Sequence, residues 1–219
     1  NYQDVFSMDR TNSATNIETG ASVGYGAEYN INKKNLNNEV YLDAGFSIGQ
    51  VLKKSRLKEM PKNSSLQEKR SDYVGNSSFK VSSEKFNSGK FDIDYNYILN
   101  KNFNAFLKNE ITTSLSNNNN NLSLSYYEEN KIGSKHYVET KYQREFKDNL
   151  SFAMGLRKNL EEDFTERNFI ETNYESDCLK IGLNLSKIFY QDEELKPSNN
   201  LTFSIVLKPF GSPVAPDLS

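Results

Sequence analysis

The sequence predicts an all-β protein: an antiparallel transmembrane β-barrel, of which this chain forms a partial barrel of about 11–12 strands. Three observations predict this fold. Apolar and polar residues alternate along almost the whole chain, the alternating segments are long, and the polar positions carry many charges. The mean hydropathy of -0.75 agrees with such strands, because only every second residue would face lipid.

The alternation is clearest close to the N-terminus. From Ile17 to Ile31 the odd positions are mostly apolar or aromatic, and the even positions are Asn, Glu, Gly or Ser. Side chains of a strand point alternately to its two faces, so this period of two predicts a strand and excludes an amphipathic helix. Val40–Ile48 repeats the pattern with the opposite parity. Further strands are expected at Tyr2–Met8, Tyr73–Phe86, Lys90–Leu99, Phe103–Leu115, Leu122–Glu129, Tyr137–Phe146, Leu150–Lys158, Asn168–Tyr174, Cys178–Tyr190 and Asn200–Lys208.

Strand length and charge distinguish a barrel from a soluble β-sandwich. Many of the expected strands have about ten to fifteen residues, against about 5–6 in globular proteins, and about 9–11 residues span a bilayer. An outward apolar band is expected to include Ile93, Tyr95, Tyr97, Phe152, Met154, Phe203 and Ile205. The opposite face should line the lumen, and its charged residues are Glu18, Glu28, Asp43, Lys80, Glu84, Asp92, Asp94, Lys108, Glu110, Glu139, Lys141 and Arg157.

The connections between the expected strands alternate between a longer and a shorter set, with mean lengths in a ratio of about two to one. The longer set includes Lys53–Ser71, and the shorter set includes Glu175–Asp177. Outer-membrane barrels have long external loops and short periplasmic turns. If the chain ends in the periplasm, Lys53–Ser71 therefore lies on the external side.

Composition argues against several other classes of protein. No run approaches the roughly 18 apolar residues of a transmembrane helix, and a net charge of -2 gives no basic surface for nucleic acid. The single histidine, His136, is expected at a solvated strand edge, so the sequence predicts neither a catalytic set nor a metal site or cofactor. Gly20, Gly24 and Gly26 lie at lumen-facing positions and are expected to allow close packing inside the barrel.

The single cysteine, Cys178, is expected to point inward at the periplasmic end of the penultimate strand. An odd cysteine in an exported protein suggests pairing with a partner outside the chain, and a buried free thiol is the alternative. The chain opens without an initiator methionine or a signal region. We therefore expect the C-terminal portion of a longer protein, with Gly211–Ser219 as its end.

Three segments resemble one known family. Val5–Arg10 followed by Gly20 and Gly24, Lys69–Gly75, and Tyr174–Gly182 followed by a final strand at Asn200–Lys208 are similar, in order and spacing, to parts of LptD, the outer-membrane protein that assembles lipopolysaccharide. The resemblance covers nearly all of residues 1–219 and corresponds to the C-terminal part of that barrel. The individual motifs are short, and their order and parity carry the resemblance.

The resemblance implies a multi-pass barrel in the outer membrane of a Gram-negative cell. Such a barrel receives lipopolysaccharide from an LptA-type periplasmic bridge, holds an LptE-type plug lipoprotein and inserts the lipid into the outer leaflet among outer-membrane lipid. It also implies a disulfide from Cys178 to an N-terminal periplasmic domain, and a lateral gate whose near side is the last strand, with Leu201, Phe203, Ile205 and Leu207. Three alternatives remain: another outer-membrane barrel (a porin or substrate-specific channel), a β-rich adhesin, and an outer-membrane enzyme.

Overall fold

Eleven strands of the computed structural model form one antiparallel sheet, in which each strand pairs with the next along the chain. The model describes residues 2–7, 20–36, 39–57, 60, 64–83, 89–130, 135–146, 149–189 and 198–208. The strands contain 10 to 14 residues, which is long enough for a tilted strand to span a bilayer. They are β1 Ser22–Lys34, β2 Val40–Lys53, β3 Tyr73–Ser83, β4 Gly89–Leu99, β5 Phe106–Ser116, β6 Asn120–Glu129, β7 Lys135–Glu145, β8 Leu150–Asn159, β9 Phe164–Glu175, β10 Leu179–Ile188 and β11 Ser198–Leu207.

The sheet is open, as expected for a partial barrel. Within the described residues, β1 pairs only with β2 and β11 pairs only with β10. The connections after β2, β4, β6, β8 and β10 lie at one end of the sheet, here called the long-loop end, and include residues 54–72. The other five lie at the short-turn end and include the three-residue turns 117–119 and 176–178. The expected alternation of longer and shorter connections is therefore confirmed.

The strand register places apolar side chains of all eleven strands on one face, here called the apolar face. Directly paired residues of neighbouring strands share a face of the sheet, so the pairings can be followed from strand to strand. One such row crosses nine strands and consists of Val81, Phe91, Leu115, Leu122, Tyr142, Met154, Ile170, Leu185 and Leu201. The same register puts the expected outward residues, from Ile93 to Ile205, on this face. The sequence prediction of a single apolar band is confirmed.

Asparagine side chains shape two of the turns. In the turn between β5 and β6, the Oδ1 atom of Asn117 accepts hydrogen bonds from the backbone N–H groups of Asn119, at 3.1 Å, and Asn120, at 2.9 Å. Between β8 and β9, the Oδ1 atom of Asn159 accepts hydrogen bonds from the backbone N–H groups of Glu161 and Glu162 in the same way. In the same turn, a hydrogen bond from Lys158 lowers the pKa of Asp163. Asparagine favours turns because its side chain can replace a backbone acceptor. The asparagine-rich run 117–121 therefore has a local structural role.

Several strand boundaries differ from the predicted ones. Tyr2–Met8 is not a strand within its described part: Gln3–Phe6 forms a 3₁₀ helix, and Met8 lies outside the described residues. The first long strand begins at Ser22 and extends to Lys34, whereas Gly20 has a positive φ of 87° and precedes it. Phe103 was expected to begin β5, but its φ of 57° places it in the preceding turn. Local alternation does not reveal such turn conformations, because apolar residues also occupy turns.

Candidate functional site

The apolar face is broadly exposed to its surroundings. Its large side chains are uncovered even in the middle of strands: Leu124 is 48% exposed, Met154 44% and Leu185 47%. Tyrosine and phenylalanine occur along the whole height of this face: Tyr25, Tyr97, Phe106 and Tyr126 lie near the long loops, Tyr174 lies near the short turns, and Phe46, Phe79 and Phe203 lie in the middle of their strands. Exposed apolar areas of this extent mark an interaction surface with lipid or protein.

The opposite face, here called the polar face, collects the charges. All ten of the predicted lumen-facing charges that lie among the described residues are on this face by register, and Glu18 and Glu84 lie outside those residues. Asp43, Lys80 and Asp92 form a cross-strand row on β2, β3 and β4, with the cation between two carboxylates. Opposite charges in directly paired positions support the register of a sheet.

A ridge of aromatic rings and cations crosses the polar face near the long-loop end. Tyr127 and Tyr137 are directly paired and their rings stack at 4.9 Å, nearly parallel. Lys108 lies over the outer face of the Tyr127 ring at 5.1 Å, and the Arg157 guanidinium over that of Tyr137 at 3.7 Å. The Nε atom of Arg157 is 2.7 Å from a carboxylate oxygen of Glu166, although its N–H does not point along this contact. Each ring is therefore covered on one face by the other ring and on the opposite face by a cation.

A floor of glycines on the polar face accommodates the N-terminal 3₁₀ helix. A Cβ at Gly24 would lie 2.4 Å from the carbonyl oxygen of Val5, and one at Gly49 would lie 3.2 Å from the ring of Tyr2. Gly26 is paired with Gly49 and lies below Phe6. Val5 is buried as a result. The prediction of close packing is confirmed for Gly24 and Gly26. It is not borne out for Gly20, which adopts a turn conformation and whose Cβ would have no neighbour within 4 Å among the described residues.

A polar network lies on the apolar face near the long-loop end. Glu128 accepts hydrogen bonds from Asn109 at 3.0 Å, from Tyr126 at 3.2 Å and from Asn130 at 3.0 Å. The hydroxyl of Tyr126 is also 2.9 Å from the Nε2 atom of His136. His136 is the second residue of β7, at the edge of a loop as expected, and it is a partly buried member of this network. The sequence contained a signal for this network, because His136 and Glu128 occupy positions that the alternation of β7 and β6 assigns to the apolar face.

Cys178 lies in the three-residue turn between β9 and β10, and not in a strand. Its thiol is free and exposed, and its carbonyl oxygen accepts a hydrogen bond from the backbone N–H of Lys208 at 3.0 Å. The predicted inward direction was drawn from the parity of β10, which begins only at Leu179. The inward direction therefore stays a prediction, while the placement at the short-turn end is confirmed.

The predicted gate residues share one face of an edge strand. Leu201, Phe203, Ile205 and Leu207 alternate along β11 on the apolar face and are 49–67% exposed. Within the described residues the other side of β11 has no partner strand. β11 is therefore an edge strand with an apolar face among the described residues.

The described residues offer no group of three or more His, Cys, Asp or Glu that could hold a metal ion. No helix in the described part is long and apolar enough to cross a membrane. Comparisons with models of protein families and with curated proteins found no match. The described residues form an open antiparallel sheet of eleven strands with one apolar and one charged face.

Proposed function

We propose that this chain is part of an outer-membrane β-barrel, and that its apolar face contacts lipid. The single observation that carries the proposal is the register, which places apolar side chains of all eleven strands on one face and charged ones on the other. Barrel walls in membranes have this division, with an outward apolar band between aromatic girdles and a polar interior. The strand lengths and the longer loops at one end support the same assignment.

The two edges of the sheet support a barrel that is larger than these strands. Unpaired backbone N–H and C=O groups cost several kcal/mol each in hydrocarbon, so open sheet edges do not occur there. β1 and β11 each present one unpaired edge within the described residues. Further strands would pair with these edges, as the resemblance to the C-terminal part of a longer barrel implies.

Within this class, we favour a translocon that assembles lipopolysaccharide into the outer leaflet. An amphiphile with a charged head needs a polar lumen for the head and an opening toward lipid for its acyl chains. The charged polar face can provide the first, and an edge strand such as β11, with Leu201, Phe203, Ile205 and Leu207 on its apolar face, can form one side of the second. The partners would be an LptE-type plug and an LptA-type bridge, and no enzymatic step is needed.

The proposal can be tested by depletion of the protein in cells. Loss of a lipopolysaccharide translocon should reduce lipopolysaccharide at the cell surface before the amounts of other outer-membrane barrels fall. Surface lipopolysaccharide is measured by labelling its sugars. Restored expression should reverse the loss. Unchanged surface lipopolysaccharide after complete depletion would contradict the translocon.

The second candidate is a porin or substrate-specific channel, which the charged polar face also supports. The purified protein in a planar bilayer would then show steady ionic conductance and depletion would leave lipopolysaccharide unchanged. A plugged translocon should conduct little. Extraction with alkaline carbonate separates both from an adhesin, because a membrane barrel remains with the membrane fraction.

A further inference from the structure

The apolar face contains a depression of about 670 Å³ that spans β7 to β11. This volume lies within the range of roughly 300–1,000 Å³ that is typical of small-molecule sites. One wall is a row of directly paired residues, Tyr142, Met154, Ile170, Leu185 and Leu201. All five are apolar or aromatic, so the depression offers a surface for a hydrocarbon chain.

The wall toward the long-loop end is different in chemistry. Asn168 on β9, Lys187 on β10 and Asn199 on β11 are directly paired and line the depression. Their side chains can all donate hydrogen bonds, and neighbouring strands are about 4.8 Å apart, so the three donors lie side by side. Lys187 is the penultimate residue of β10, and its Nζ atom lies 4.5 Å from the ring centroid of Phe189. The described residues that line the depression include no acidic one.

We propose that this depression binds one membrane lipid whose phosphate headgroup has a net negative charge, with the acyl chain along the apolar wall and the phosphate at Asn168, Lys187 and Asn199. The charge complementarity is specific: an anion fits a row of donors with one cation, and the apolar wall continues directly below it. Lys187 and Asn199 lie next to the long-loop ends of β10 and β11, toward the depth where lipid headgroups would meet water in a spanning barrel, and Asn168 is the fifth residue of β9. The inference rests on the membrane-spanning part of the proposed function, but not on lipopolysaccharide transport.

The chain has no tryptophan, so a single introduced tryptophan can report on contact with lipid. Leu185→Trp places the reporter in the apolar wall, and Leu124→Trp places a control on the apolar face of β6, outside the depression. The protein is reconstituted into nanodiscs that contain brominated phosphatidic acid or brominated phosphatidylcholine, whose chains quench tryptophan on contact. The measured quantity is the ratio of apparent affinities for the two lipids at each reporter.

A surface lysine contributes about 1 kcal/mol to the attraction of an anionic lipid, so the ratio at Leu185→Trp should be about five-fold in favour of phosphatidic acid. Lys187→Gln should reduce it to about one, and Lys187→Arg should retain it. The control reporter should show no preference. Inorganic phosphate should compete only weakly, because it can bind at the donor row but gains nothing from the apolar wall.

Each of the following results would overturn the site. An equal ratio at the two reporters, or a ratio that Lys187→Gln leaves unchanged, would show that the donor row does not select the lipid. Quenching at Leu185→Trp that disappears at high protein-to-lipid ratio would identify a second copy of the chain as the occupant. If neither reporter is quenched by any brominated lipid, the apolar face is not in a bilayer, and the proposed function fails together with the site. Quenching of the control alone would leave the membrane assignment in place.

Discussion

The assignment of the two faces can be tested with two arginine substitutions at adjacent residues of β10. Leu183 lies on the apolar face, opposite Thr172 and Phe203, and is 41% exposed. Asn184 lies on the polar face at the same depth, opposite Glu171 and Thr202. Leu183 is the fifth of the ten residues of β10, so both positions lie near the middle of the strand. The two introduced arginines therefore lie on opposite faces of the sheet at almost the same depth.

Leu183→Arg should cost about 2–4 kcal/mol if the apolar face contacts hydrocarbon near the bilayer midplane. This corresponds to a change of roughly 30- to 700-fold in the equilibrium between folded and unfolded protein. In water, the same substitution at an exposed position would change the free energy of unfolding by only about 0.5 kcal/mol. Asn184→Arg should be close to neutral in either case, because the new guanidinium would lie beside the carboxylate of Glu171.

The assay is reversible unfolding by urea from lipid vesicles, followed by intrinsic tyrosine fluorescence and by resistance of the folded form to proteolysis. Comparing the free energies of unfolding of the two variants with each other removes any effect that arginine has on both faces alike. Equal losses for the two variants, or a neutral Leu183→Arg, would refute the assignment of the apolar face to lipid.

Three further predictions concern the glycines and the cysteine. Val5→Cys with Gly49→Cys, in a Cys178→Ser background, should form a disulfide on oxidation, because a Cβ at residue 49 lies 3.3 Å from Cγ1 of Val5; a mass spectrum without the crosslinked peptide would show that the N-terminal helix does not rest on the glycine floor. Gly75→Ala should lower the free energy of unfolding by about 1–3 kcal/mol, since its Cβ would lie 2.2 Å from the Tyr97 ring and 2.6 Å from the carbonyl oxygen of Ser47; in a double-mutant cycle Tyr97→Ala should relieve only the part of this cost that comes from the ring. Cys178 should be oxidised in the protein isolated from cells and linked to a cysteine outside this chain, and unchanged mobility on non-reducing gels after reduction would leave it as a free thiol.

The sequence predicted the strands best where alternation is strict and long. In β4, Lys90–Leu99 was expected and the strand is Gly89–Leu99, because five alternating apolar residues define both the period and the face. Prediction failed where conformation depends on contacts distant in sequence. Gln3–Phe6 is helical on a floor formed by Gly24 and Gly49, and nothing within the segment itself indicates that floor.

The side-chain sites depend on register, which alternation alone does not specify. The stacking of Tyr127 on Tyr137 and the row of Asn168, Lys187 and Asn199 arise only because particular residues are opposite one another. A shift of the pairing by one residue would move every side chain to the other face, so the apolar pattern limits register to steps of two. The lengths of the turns then decide which of these possible registers forms. The sequence predicted the turn lengths only to within a few residues, so it did not predict the register.

The direction of the edge strands restricts how this sheet can close. β1 begins at the long-loop end and finishes at the short-turn end, and because eleven is an odd number, β11 runs in the same direction. Direct pairing of β1 with β11 would therefore be parallel. In a ring of two copies with the same orientation in the membrane, β11 of each copy would pair with β1 of the other, and both of these pairings would also be parallel. Single-chain bacterial outer-membrane barrels are antiparallel throughout and have even numbers of strands. A barrel of that kind that includes this sheet must add an odd number of strands between β11 and β1, so the edge that β11 presents must be matched by a strand from another segment.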